Sequence, residues 1–208
     1  TAIGVLLAVI AFILGCSALL DRFARYHFKQ VSLGLYLLLQ IALVTCCGIL
    51  YLVKFPTFYS LPIACGLAFS VWGLYLWMCG RGSQRPCGWY LAGSLCMALV
   101  AGCRPQLVLL SFLAFPLFWR RYITERRLFT RRGAQEFACL IAPYVVVAAG
   151  IMLYNNARFG SLTDFGANYN LTVNDMTKRG MNVGRLAPAL FTYFLQPPCV
   201  TGVFPFLQ

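Results

Sequence analysis

The chain has 208 residues, of which 61% are hydrophobic and only 11% charged, and its mean hydropathy is +0.76. Soluble domains carry roughly 25% charged residues, so a water-soluble fold is excluded and the relevant solvent is lipid. The formal charge of +12 does not indicate nucleic acid, because the Lys and Arg residues sit between apolar runs instead of forming one basic face with interleaved aromatics.

Taken in chain order, the apolar runs predict an all-α, polytopic transmembrane helix bundle of about six membrane helices, two of them short. The first covers residues 2–20 and is followed by a loop, 21–30, with Arg22, Arg25 and Lys29. No charged leader or cleavage motif precedes it, so it does not read as a signal peptide. The second runs over 31–53. The third follows a turn at Lys54, Phe55 and Pro56 and covers about 57–79, ending in a small basic loop with Arg81 and Arg85.

The next apolar stretch, 89–119, is too long for one ordinary helix and is interrupted by Gly102-Cys103-Arg104-Pro105. Proline ends a helix at the residue before it, so the stretch divides into two short helices with Arg104 at the tip of the hairpin. Each half is about 15 residues, marginal for a hydrocarbon core of about 30 Å.

Arg120, Arg121, Arg126, Arg127, Arg131 and Arg132 then form the densest positive charge, opposed by Glu125. If that loop is cytoplasmic, counting crossings places the loops at Arg22 and Arg81 on the same side and the turns at Lys54 and Arg104 outside. A sixth helix over about 137–154 leads out. Residues 1–156 therefore read as the membrane bundle and 157–208 as an extracytoplasmic segment, in which 186–195 is too short to span and reads as an interfacial helix. Both ends of the chain stop within or beside apolar runs, as expected of a fragment.

Apart from Arg104, these six segments hold no charge away from their ends, unlike ion-coupled pumps and channels. The chemistry is expected at the outer rim. Arg104 has two readings: it snorkels to headgroups and supports the hairpin, or its planar guanidinium holds a lipid phosphate. The ten cysteines form no Cys-x-x-Cys pair and His27 stands apart from them, so neither a metal nor another cofactor is expected. Cys103 and Cys199 are either two free thiols or a bridge. The sequon at Asn170 is read as a chance match, and Tyr154, Tyr169, Phe191, Tyr193 and Phe194 as interfacial anchors or a sugar-stacking platform.

The short helix, basic residue, proline and second short helix of 98–110 resemble the outer turn of the GT-C membrane glycosyltransferases, such as the dolichyl-phosphate-mannose protein mannosyltransferases and bacterial aminoarabinose transferases. The family's usual form there is Thr-Lys-Gly-Pro; Arg104 matches the lysine in charge, and the glycine before proline is missing. The run Tyr154-Asn155-Asn156-Ala157-Arg158-Phe159-Gly160-Ser161, with Phe165, Gly166 and Tyr169 after it, resembles a run following a transmembrane helix in uncharacterised bacterial members.

The resemblance implies a transferase that moves a sugar from a polyprenyl-phosphate carrier to an acceptor at the outer face of a cell membrane, the acceptor being unspecified. It implies a catalytic carboxylate in a loop upstream of Thr1. Arg104, Arg158, Lys178 and Arg179 are then the lipid-phosphate ligands, and Asn155 and Tyr169 the substrate contacts. Asp164 and Asp175 are the carboxylates left to act as acid or base, or they only cap turns and pair with nearby cations. A transporter subunit for lipid or polysaccharide, or a non-catalytic scaffold that binds carrier lipid, shares the same helices and loops.

Overall fold

The computed structural model describes residues 2–28, 31–166 and 183–195. The described elements are helical: α1 (Ala2–His27), α2 (Leu33–Cys46), α3 (Ile49–Lys54), α4 (Ser60–Arg81), α5 (Cys87–Cys103), α6 (Ala114–Trp119), α7 (Arg131–Phe159) and α8 (Leu186–Leu190). Among the described residues four helical stretches are long and apolar enough to cross a membrane: Ala2–His27, Ser60–Arg81, Pro105–Thr124 and Arg131–Phe159. The chain divides into two compact units, Thr1–Tyr154 and Asn155–Gln208.

In the first unit α1 and α4 run parallel. Gly4 faces Leu61, Gly15 faces Val71 and Trp72, and Arg22 reaches Gly82. The Trp72 Nε1–H donates to the Ala11 carbonyl at 2.9 Å, which Gly15 permits by leaving no side chain in the way. Val5, Val9, Phe12, Ile49, Ala64 and Ala68 form the core of this half.

α1 does not stop with its apolar run at residue 20 but continues about two turns through Asp21 to His27. The Arg25 Nε lies 2.9 Å from Asp21 Oδ1, and this acid-before-base spacing of four, with Arg25 and His27 in the last turn, suits both side-chain pairing and the helix dipole. The second segment, expected as one helix, is two. Ser32 caps α2 by accepting from the Leu35 amide at 3.3 Å, and Gly48, at φ +66°, adopts the left-handed conformation that separates α2 from α3. Gln40 of α2 donates to Ser17 of α1 at 2.7 Å.

α4 and α5 are antiparallel and meet along a stripe of small residues. A Cβ on Gly73 would stand 3.0 Å from the Gly93 carbonyl oxygen, and one on Gly93 equally close to that of Gly73. Backbones therefore touch, the contact that drives association where lipid is as apolar as the side chains. Trp77 and Met97 fill the flanks of this contact. Trp77 also donates to Ser94 at 3.1 Å.

α5 ends as expected before Pro105: Arg104 is extended, at φ −147° and ψ 100°. The second half of the hairpin is not an ordinary short α-helix. Residues Pro105–Leu113 form a 3-10 helix, leading into α6 and a π turn at Arg120–Thr124. At about 2.0 Å rise per residue against 1.5, nine 3-10 residues gain roughly 4 Å, which relieves the shortfall in length expected for this half of the hairpin.

Helix α7 begins at Arg131, where Thr130 Oγ1 accepts from the Gly133 amide at 3.1 Å. A Cβ at Gly133 would collide with the Arg127 carbonyl, so only glycine lets the Arg126–Thr130 connection fold onto this first turn.

The second unit opens with the end of α7. Gly160, at φ +70°, ends the helix and donates to the Asn156 carbonyl at 2.9 Å. The described part closes with Val183–Arg185, α8 and a π turn at Phe191–Leu195, a short apolar helical run like that expected for 186–195.

Candidate functional site

At one end of the first unit the basic segments gather. Arg22 lies at Gly82, Arg81 stands 5.8 Å over the Tyr26 ring, and Arg132 donates to the Gln84 carbonyl. Their centre is Glu136, only 2% exposed. Arg121, 17% exposed, grips it with its fork: Nη2 lies 3.0 Å from Oε1 and 2.9 Å from Oε2, and Nε 3.2 Å from Oε2. The Tyr122 hydroxyl donates to Oε2 at 3.3 Å, Arg132 Nε stands 3.6 Å from Oε1, and Arg121 Nη1 reaches the Arg81 carbonyl at 3.4 Å.

One carboxylate thus joins α7 to the π turn after α6, and Arg121 extends the link to the end of α4. Breaking such a pair is costly because the surviving charge stays buried.

A cavity of about 670 Å³ opens beside this cluster, between the Pro105–Thr124 stretch and α7, with Trp77 and Ser94 behind it. Its lining is almost wholly apolar. Polar groups in its wall are engaged: Tyr144 donates to Ser111 at 2.7 Å, Trp77 to Ser94, and Tyr122 to Glu136. The space suits hydrocarbon.

Arg104 sits at the opposite end of α5. Its Cβ lies 3.8 Å from where a Cβ on Gly66 would be, six residues into α4, so the turn is recessed about 9 Å below the start of that helix. The side chain is half-buried, and among the described residues it meets no carboxylate and no hydrogen-bond acceptor.

In the second unit Asn155 is 4% exposed and its Nδ2 has no partner among the described residues. Arg158 stacks on the Phe159 ring at 5.1 Å. Asp164 accepts from the Gly166 amide at 2.8 Å, an Asx turn that engages the carboxylate locally. Tyr169, Asp175, Lys178, Arg179, the sequon at Asn170 and Cys199 lie outside the described residues. Of the phosphate ligands implied by resemblance, Arg104 is therefore described in the first unit and Arg158 in the second.

Residue-by-residue reading missed Glu136, and with it the roles of Arg121 and Tyr122. The signal was present: Glu136 is the sole acidic residue of α7, and a lone carboxylate entering an apolar run requires a partner. Among the described residues the cysteines are free and no group of three His, Cys, Asp or Glu side chains could hold a metal ion.

No family model, curated protein or solved structure matches the chain.

Proposed function

We propose that this chain is the membrane-embedded part of a protein that binds a phosphate-bearing lipid at Arg104 and, in the more specific form, of a GT-C type transferase that takes a sugar from a polyprenyl-phosphate carrier. The reading places the protein as a multi-pass protein of a cell membrane with its arginine-rich end in the cytoplasm, following the positive-inside rule. The Arg104 turn then faces the outer leaflet.

The observation that supports it is the recessed, half-buried Arg104 without an anionic partner among the described residues. A cation held away from bulk water at a helix break invites an anion, and a guanidinium suits the two-pronged geometry of phosphate. In a transfer reaction a polyprenyl phosphate gains negative charge as the sugar bond breaks, and a fixed cation stabilises that charge most in a partly dry site. Arg104 is the residue for this role. Among the described residues neither Asp164, held in its own turn, nor Glu136, locked to Arg121, is free to activate the acceptor, so that base would be Asp175 or a carboxylate of the loop that the resemblance places upstream of Thr1.

That neither of these described carboxylates is free favours a second reading, a non-catalytic scaffold that holds carrier lipid. One experiment separates the readings: bind radiolabelled polyprenyl phosphate to the full-length protein in nanodiscs and follow sugar release from the loaded carrier. Arg104→Ala is expected to weaken binding about tenfold or more, with Arg104→Lys intermediate. Transfer that falls with binding supports the transferase, binding without transfer leaves the scaffold, and unchanged binding in Arg104→Ala removes both.

A further inference from the structure

We infer that the cavity between the Pro105–Thr124 stretch and α7 is a site for an anionic membrane phospholipid, one acyl chain entering the cavity and the headgroup resting on Arg126 and Arg131. The lining reaches Val108, but the headgroup position is at the other end of the Pro105–Thr124 stretch from Arg104, and the proposal does not depend on sugar transfer.

Three features converge on this occupant. The cavity, about 670 Å³, is of small-molecule size and almost wholly apolar in lining. Phe137, Leu140, Ile141 and Tyr144 line it along α7 over about 10 Å, the shape of a groove for a chain and not of a headgroup pocket.

Leu128, near the middle of the short basic connection, forms part of the lining and so ties that connection to the cavity. The connection is pressed onto the first turn of α7, where Gly133 meets the Arg127 carbonyl. Arg126, Arg127 and Arg131 thus lie within three residues of a side chain that lines the cavity.

Charge selects the headgroup. Glu125 pairs with Arg120 at 3.6 Å and with Arg127 at 3.3 Å, and Arg121 and Arg132 are engaged with Glu136. The exposed side chains of Arg126 and Arg131 meet no carboxylate among the described residues. Arg131 also opens a helix of 29 residues, whose N-terminus favours an anion. A basic patch at the mouth of an apolar groove between membrane helices is the arrangement that retains anionic lipid.

The test reconstitutes the protein in nanodiscs of phosphatidylcholine containing a minority of phosphatidylglycerol, with a photoreactive acyl chain on one lipid or the other. The expected result is crosslinking at Phe112–Ile123 and Phe137–Tyr144, roughly tenfold greater for phosphatidylglycerol than for phosphatidylcholine at equal label. Arg126→Gln with Arg131→Gln is expected to abolish that preference while leaving helix content and Tm unchanged, both side chains being exposed. Ala114→Phe, which fills the cavity from α6, is expected to lower crosslinking of both lipids.

Equal labelling by the two lipids, or labelling outside the cavity, overturns the proposal. So does displacement of phosphatidylglycerol by polyprenyl phosphate in Arg104→Ala, which would make the cavity a carrier-lipid site.

Discussion

The two ends of the first unit handle positive charge in opposite ways. At the basic end two acids each serve two cations: Glu136 takes Arg121 and Arg132, and Glu125 takes Arg120 and Arg127. At the other end Arg104 stands half-buried with no anion among the described residues. A satisfied buried pair fixes the positions of helices, whereas an unsatisfied half-buried cation marks where something else binds. The contrast directs structural expectations to one end and binding to the other.

The sharpest way to break the contrast is to unlock the satisfied end. Glu136→Ala strands Arg121 in a buried position and is expected to cost about 3–5 kcal/mol in reversible unfolding. Replacing both partners, Glu136→Leu with Arg121→Met, is expected to recover most of that loss, because the desolvated charges go together. If Glu136→Ala alone is neutral, the cluster is not what holds α7.

Next in size is the contact between α4 and α5. Gly73→Val places a branched side chain where the Gly93 carbonyl and Met97 already stand, and is expected to destabilise by about 1–3 kcal/mol. The reading is the unfolding midpoint in mixed micelles. Gly88→Ala, where a Cβ meets nothing, serves as the matched control.

These two sites show how unevenly the sequence discloses the fold. Helix positions follow from apolar runs long enough to cross lipid, and the break at Arg104 follows from Pro105 alone, because proline forbids the helix locally. The extension of α1 through Asp21–His27 and the division at Gly48 were not read from hydropathy, which does not register an i,i+4 ion pair or one left-handed glycine. Glu136 escaped for a different reason. A boundary set at 137 by hydropathy leaves the residue among loop charges, and only packing shows that it is buried. Arg104 was legible because it interrupts an apolar run, yet that it meets no anion among the described residues is a fact of three dimensions.

Smaller effects refine the comparison. Gly48→Ala puts a side chain on a residue at φ +66° and is expected to cost about 1 kcal/mol. Asp21→Ala removes the exposed pair with Arg25 and is expected to cost about 0.3–0.5 kcal/mol, an effect that salt should mask. Measured together by thermal unfolding at low and high salt, the first should be salt-independent and the second should not.

The smallest expected change in stability is at the residue where the largest change in binding is expected. Arg104→Ala removes a half-buried charge whose guanidinium has no described partner to strand, so the lipid-free protein should unfold within about 0.5 kcal/mol of the parent. It should be more stable if desolvation of that charge is the larger contribution. Bound polyprenyl phosphate should then raise the unfolding midpoint of the parent and not of the variant, since a ligand stabilises only the state it binds. A loss of more than about 2 kcal/mol in the lipid-free variant would mean that Arg104 is held in place for the hairpin's sake. The two ends of the unit would then differ only in how their charges are satisfied, and Arg104 would have no claim to a lipid phosphate.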